Sequence, residues 1–160
     1  MKMTTALLVG GVALLAGCNQ QPETPALGIK EFMAQEVQPT AQVYWDSVRY
    51  ISNETGIHHF VPETDADWER TRKAAAGLSA YGELLKSPAY AEGRGADWIQ
   101  FSQGLVDVGK RAELAAEHKS VEEVFEVGAT IYNVCSACHQ VYPPAAGEVP
   151  NATATGGDGG

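Results

Sequence analysis

This chain of 160 residues has few cysteines, few cations and no long apolar run. It contains three cysteines, and its 11 lysine and arginine residues stand against 20 aspartate and glutamate residues, for a formal net charge of −9. A chain this acidic is unsuited to binding nucleic acid or an anionic membrane surface. The sequence also lacks a Ser/His/Asp arrangement and a glycine-rich phosphate loop. Nothing in it indicates an enzyme.

Two of the three cysteines lie in the segment Cys135-Ser136-Ala137-Cys138-His139. Cysteines at i and i+3 followed at once by a histidine are the attachment motif of a c-type haem. Each thiol adds across one haem vinyl group to form a thioether bond, and the adjacent imidazole then binds the iron as its proximal ligand. The sequence therefore predicts one covalent haem c on Cys135 and Cys138, with His139 as the proximal ligand.

Two other kinds of site also use a CxxC pair. A redox-active dithiol is expected near a βαβ pattern, and no alternation typical of strands surrounds Cys135. A zinc site would need a fourth ligand, for which His58, His59 and His118 are the candidates, and the chain has no second paired motif. The histidine directly after the second cysteine favours haem.

The N-terminus has the pattern of an export signal. Lys2 supplies a positive charge, and Ala6 to Ala16 is a short apolar region. This region is shorter than the roughly 20 residues that span a bilayer. Leu15-Ala16-Gly17-Cys18 resembles a bacterial lipobox, which implies that residues 1–17 are removed and that Cys18 carries lipid. Asn19 is not the aspartate typical of inner-membrane retention, so the resemblance implies the outer membrane.

These assignments divide the chain into four parts. Residues 1–17 are the predicted signal peptide, 18–27 a tether, 28–144 one domain, and 145–160 a glycine-rich tail without core-forming residues that is predicted to be disordered. Cys18 is assigned to lipidation, and Cys135 and Cys138 are assigned to haem attachment. No thiol is left to form a disulfide. The predicted location is the bacterial periplasm, with a lipid anchor as the only membrane contact.

The domain has helical periodicity throughout. Helices are predicted at about 28–52, with an interruption at Pro39, at 64–85, 96–118 and 120–142, and a loop is predicted at 53–63. Thr64 and Ser120 each begin a capping box. The prediction is an all-α, antiparallel four-helix bundle with haem on its C-terminal helix. Its apolar stripes include Ile29, Met33, Val37, Tyr44, Val48, Ile51, Trp98, Phe101, Leu105, Val108, Leu114, Val124, Val127, Ile131, Val134 and Cys138.

A haem motif on the last helix of such a bundle resembles the class II c-type cytochromes, the cytochrome c′ family. The likeness covers nearly all of the domain, but its specific part is Val134 to Tyr142, which has the CxxCH motif and an aromatic residue three positions after His139. Class I cytochromes c carry the motif near the N-terminus instead. This chain has Pro143 where family members often have a basic residue.

The resemblance implies two functions, which differ in the sixth iron ligand. In low-spin relatives a methionine on the first helix binds the iron, and the protein carries single electrons. Met33 is the one methionine left after signal removal, so it is the predicted sixth ligand. In cytochrome c′ proper the sixth position is open and binds nitric oxide or carbon monoxide, and Met33 would then only fill space in the core. His58 and His59 lie in the predicted loop and are weaker candidates.

The leading prediction is therefore an electron carrier, and a haem protein that binds gases is the alternative. The acidic charge favours redox partners of the bacterial envelope with basic docking surfaces, because opposite charges speed encounter. Association into a homodimer stays open.

Overall fold

The computed structural model describes residues 27–144, which are mostly helical. The predicted signal peptide 1–17, the predicted lipidation site Cys18, the tether up to residue 26 and the tail 145–160 lie outside the described residues. In chain order the elements are α1 (Ile29–Phe32), a π-helical segment (Met33–Val37), α2 (Gln38–Ser47), β1 (Arg49–Asn53), β2 (Gly56–Phe60), α3 (Asp65–Leu85), α4 (Pro88–Ala91), α5 (Ala96–Glu117) and α6 (Val121–Val141).

The first helical stretch changes its winding just before Pro39. Residues 33–37 form a π-helical turn in which the Gln38 N–H donates to the Met33 carbonyl, five residues back. Proline has no N–H to donate, and its ring collides with the carbonyl four residues earlier. A wider turn is one of the ways in which a helix accommodates such an interruption. The interruption predicted at Pro39 therefore takes the form of a π-helical segment.

A β-hairpin replaces the end of the first predicted helix and part of the predicted loop. The helix ends at Ser47, and β1 pairs with β2 in antiparallel register from Arg49–Phe60 to Asn53–Gly56. Gly56 has a φ of 122°, which a residue with a side chain rarely adopts. The predictions that the helix reaches residue 52 and that no part of the chain forms a strand are wrong. Tyr50, Ile51, Ile57 and Phe60, which are aromatic or β-branched, favour strands.

Both predicted capping sites begin helices. At α3 the Thr64 hydroxyl accepts from the Asp67 N–H at 3.2 Å, and the Asp67 carboxylate accepts from the Thr64 N–H at 3.0 Å. At α6 the Ser120 hydroxyl accepts from the Glu123 N–H at 3.2 Å. These bonds satisfy N–H groups that the first turn of a helix leaves without partners.

The long helices surround a single apolar core. Helix α3 packs against α2 and α5, and α6 packs against α5 and α2. The core contains Phe32, Val37, Ala41, Tyr44, Val48, Trp68, Leu78, Leu85, Trp98, Leu105, Val108, Val124, Val127 and Ile131, among others. Leu114 and Ile51 were predicted to face the core and are exposed instead. Leu114 lies on the solvent side of α5, and Ile51 belongs to the hairpin.

Two glycines bring α3 and α5 into unusually close contact. A Cβ on Gly82 would lie 2.8 Å from the carbonyl oxygen of Ser102, and a Cβ on Gly109 would lie 2.6 Å from the backbone nitrogen of Ser79. Both separations are shorter than real side chains show, so these helices touch backbone to backbone. None of the helices between residues 27 and 144 has the length and apolar character needed to cross a bilayer.

Candidate haem site

The CxxCH segment forms the last turns of α6. Cys135 and Cys138, three residues apart, and Cys135 and His139, four apart, are neighbours on the surface of a helix. Both cysteines are half-buried, and His139 is exposed. The helix stays regular through the motif, because the Tyr142 N–H still donates to the Cys138 carbonyl at 2.8 Å. The two thiols and the imidazole therefore lie on one rigid element.

Cys135 and His139 open onto a cleft between α2 and α6. The cleft has a volume of about 470 Å³. This lies within the range of roughly 300–1,000 Å³ that small-molecule and cofactor pockets occupy. We call it the haem cleft; its walls are Gln38, Trp45, Tyr132, Cys135, Ser136, His139 and Gln140.

Trp45, in the wall of this cleft, links α2 to α6. Its indole Nε1–H donates to the Gly128 carbonyl at 2.9 Å, across 83 positions of sequence. A Cβ on Gly128 would lie 3.3 Å from the indole, so a side chain at this position would crowd the ring. The Trp45 bond thus sets the spacing between α2 and α6 beside the motif.

Both thiols are held in their neutral form. Burial, and after it the neighbouring Cys138, raises the pKa of Cys135 to about 11. Burial and the negative charge of Asp97 raise the pKa of Cys138. A redox-active dithiol usually has a lowered pKa, because the thiolate is the reacting species. The surroundings of this pair are those of unreactive thiols, unlike those of a dithiol enzyme.

A zinc site would need further ligands beside the motif. Within residues 27–144 there is no group of three or more His, Cys, Asp or Glu side chains placed to hold a metal ion. His58 and His59 lie on the exposed strand β2. His118 ends α5, where its Nδ1 lies 3.2 Å from a carboxylate oxygen of Glu123.

Met33 lies at the start of the π-helical segment, half-buried against the core. The residues that line the haem cleft include Gln38 and do not include Met33. The bond from the Gln38 N–H to the Met33 carbonyl places the two residues one π-helical turn apart. Met33 is therefore one turn along the helix from the cleft wall.

Tyr142 fastens the end of α6 to the start of α5. Its hydroxyl donates to Asp97 Oδ1 at 2.7 Å, and its ring meets Trp98 edge-on with the centroids 5.0 Å apart. The hydrogen bond to the Asp97 carboxylate, followed by burial, raises the pKa of Tyr142. The aromatic residue noted three positions after the motif thus holds the end of the helix that carries the motif in place.

The residues of the motif fit a covalently attached haem. Cys135 and His139 face a cleft of suitable volume, and Cys138 is half-buried one turn from Cys135. Thioether formation consumes two free thiols and iron ligation uses an accessible imidazole nitrogen, and Cys135, Cys138 and His139 supply these groups. Sequence reasoning missed Gln38, Trp45 and Tyr132 as lining residues, because only the packing of α2 on α6 brings them to the motif.

A second cleft of about 470 Å³ continues along the same helix pair. It shares Trp45 and Tyr132 with the haem cleft and extends to β1 and the first turns of α6. Tyr44 lies in its wall, only 1% exposed, and the Tyr44 hydroxyl has no hydrogen-bond partner. Burial raises the pKa of Tyr44 far above that of a free tyrosine.

No protein-family model, curated protein or solved structure matches this chain.

Proposed function

We propose that this chain is a class II c-type cytochrome that carries single electrons in the bacterial periplasm. The observation that carries the proposal is the CxxCH motif at the end of the last helix, with Cys135 and His139 in the wall of one cleft. In this proposal Cys135 and Cys138 hold haem c through thioether bonds and His139 is the proximal iron ligand. The bound iron supplies one-electron redox chemistry.

The arrangement of the helices supports an antiparallel four-helix bundle. The first helical stretch, α3, α5 and α6 each pack against two of the others. Only three residues, His118 to Ser120, connect α5 to α6, and so short a connection joins antiparallel neighbours. Cofactor sites in such bundles lie between facing helices, as the haem cleft does between α2 and α6.

Two contacts would hold the elements around the group in position. The Trp45 bond to Gly128 links α2 to α6, and Tyr142 fixes the helix end that carries His139. His139 belongs to the last turn of α6, where the helix dipole favours positive charge.

We propose Met33 as the sixth iron ligand. Its support is its position on the first helix, one π-helical turn from Gln38 in the cleft wall. The absence of Met33 from the cleft wall itself favours a second candidate function, in which the sixth position stays open and the protein binds nitric oxide or carbon monoxide. The two functions differ only in what the thioether of Met33 contacts.

Denaturing gel electrophoresis followed by haem-peroxidase staining tests the covalent attachment. The wild-type polypeptide should stain after acid–acetone extraction, and the double variant Cys135→Ser/Cys138→Ser should not. Cys18→Ser is the matched control, because it removes a thiol outside the motif and should keep the stain. A wild-type chain that loses all colour on extraction would refute the proposal.

The optical spectrum of the ferric protein separates the two functions. Two strong axial ligands make the iron low-spin, and carbon monoxide then binds slowly because Met33 must first leave. Met33→Leu keeps the apolar volume and removes the sulfur, so it should shift the iron towards high spin. A wild-type protein that is high-spin and binds carbon monoxide at once would assign the gas-binding function.

We further propose that Cys18 is lipidated and anchors the domain to the outer membrane. Cell fractionation tests this point. Wild-type protein should sediment with outer membranes, whereas Cys18→Ser should appear in the soluble periplasmic fraction or keep its signal peptide. Wild-type protein found entirely in the soluble fraction would contradict the anchor.

A further inference from the structure

Three exposed aromatic side chains and the half-buried Trp45 lie in and beside the haem cleft. Trp45 and Tyr132 line that cleft, and together with Tyr50 and Phe125 they line the second one. Tyr50 is 44%, Phe125 50% and Tyr132 62% exposed. Tyr50 and Phe125 also meet edge-on, with centroids 5.1 Å apart. We call these four residues the aromatic strip.

Exposed aromatic side chains grouped on one face are typical of contact sites. Tyrosine, tryptophan and phenylalanine are enriched at the centres of protein interfaces, because they bury much area with few rotatable bonds. The strip runs from the hairpin to the motif, so a protein seated on it would lie against the haem cleft.

The helix that carries half of the strip is acidic. Helix α6 contains Glu122, Glu123 and Glu126 and no lysine or arginine. Glu122 lies three residues before Phe125 and ten before Tyr132, so it shares their face of the helix. All three glutamates are exposed.

Arg49 is the one lysine or arginine that lines the second cleft, and its guanidinium interacts with neighbouring side chains. Its guanidinium lies 3.5 Å from Asp46 and 4.9 Å from the centre of the Phe60 ring. The strip is therefore apolar at its centre and negative at its edge.

We propose that the aromatic strip is the docking surface for a redox partner that presents an apolar centre surrounded by lysine and arginine. This inference rests on the proposed function, since the strip matters for electron transfer only if haem lies in the adjacent cleft. Redox encounters use small interfaces, below about 1,200 Å². Opposite charges at the rim speed association, and the aromatic centre sets the strength of the complex.

Surface plasmon resonance with immobilised mitochondrial cytochrome c, a strongly basic haem protein, tests the surface. The analyte is the full-length holoprotein in detergent. Wild-type protein should bind about tenfold more weakly in 200 mM than in 10 mM salt, because exposed charges are screened within about 8 Å near physiological salt. The double variant Glu122→Gln/Glu126→Gln should lose most of that salt dependence.

The apolar centre is tested at fixed low salt. Phe125→Ser should weaken binding about tenfold, as truncation of a central aromatic residue does. Leu114→Ser is the matched control: Leu114 is 52% exposed on α5, outside the strip, and should change binding less than twofold. If Phe125→Ser misfolds, Tyr132→Ser replaces it as the test variant. Circular dichroism checks that each variant is folded.

Three results would overturn the inference: no binding by wild-type protein, equal losses in Phe125→Ser and Leu114→Ser, or a wild-type dimer in sedimentation equilibrium that Phe125→Ser dissociates. The last would assign the strip to a second copy of this chain. Haem staining is measured on the same preparations: wild-type protein without covalent haem refutes the proposed function, whereas unchanged binding by a stained variant refutes only the docking surface.

Discussion

Replacing either of two glycines on α5 by alanine should change stability in opposite directions. A Cβ on Gly109 would lie 2.6, 2.9 and 3.0 Å from the N, Cα and Cβ atoms of Ser79, of which the first two are backbone. A Cβ on Gly104 would meet only a methyl group of Val134, at 3.7 Å, which is ordinary contact. Both positions are inside the same helix, so both substitutions gain the same helix propensity, about 1 kcal/mol.

At Gly109 the contact with Ser79 makes the substitution by alanine destabilising instead of stabilising. Overpacking costs about 1–3 kcal/mol, and the upper part of that range applies because the backbone of α3 cannot turn aside. Gly109→Ala should therefore destabilise the protein by about 1–2 kcal/mol, whereas Gly104→Ala should stabilise it by up to about 1 kcal/mol.

Urea denaturation followed by far-ultraviolet circular dichroism measures both values, with the two variants in the same cofactor state. In thermal unfolding each kcal/mol corresponds to about 2–4 °C for a chain of this size. If Gly109→Ala proves as stable as Gly104→Ala, the close approach of α3 and α5 is refuted.

Two further predictions concern buried polar groups. Tyr44→Phe should raise the free energy of unfolding by about 1 kcal/mol, because the lost hydroxyl has no hydrogen-bond partner. Tyr90→Phe should lower the free energy of unfolding by a similar amount, because it removes the 2.9 Å bond to the Leu27 carbonyl. Equal effects of the two substitutions in urea denaturation would contradict this. In the haem-free protein the pKa of Cys135 is raised to about 11. The folded state therefore keeps a proton that the unfolded state loses above about pH 9. The free energy of unfolding should be full below pH 9 and should fall by about 2–3 kcal/mol as the pH rises to 11. Cys135→Ser should lack this part of the decline, and identical pH profiles of the two proteins would show that the thiol is not buried.

Local chemistry made the helix starts predictable. The hydroxyls of Thr64 and Ser120 each accept from the N–H of the residue three positions on, so the pattern is complete within four residues. The haem motif likewise needs only a fixed spacing on one helix.

The hairpin was missed because Tyr44, Val48 and Ile51 recur at helical spacing, and a short apolar run fits a helix as well as a strand. The turn from Asn53 to Gly56 was the local indication against a helix, since the Asn53 side chain accepts from the Thr55 N–H and Gly56 takes a positive φ.

The wall residues of the clefts outside the motif could not be predicted. Trp45 and Tyr132 are 87 positions apart and meet only because α2 packs on α6. The same holds for Tyr142 and Asp97, which are 45 positions apart. Such contacts depend on how whole helices approach each other, which periodicity along one helix does not specify.

The close contact of α3 and α5 divides the molecule into a fixed part and an adjustable part. Where Gly82 and Gly109 bring two backbones together, any separation opens a void, so this pair resists deformation. Between α2 and α6 lie two open clefts and the single bond of Trp45, and α2 continues into a hairpin whose strands are wholly exposed. In the proposed cytochrome, a bulky group between α2 and α6 would meet the more open of these two helix contacts, and the α3–α5 pair would keep its geometry. The α3–α5 pair is thus the fixed frame of the molecule, and the α2–α6 pair is the side on which a cofactor would be accommodated.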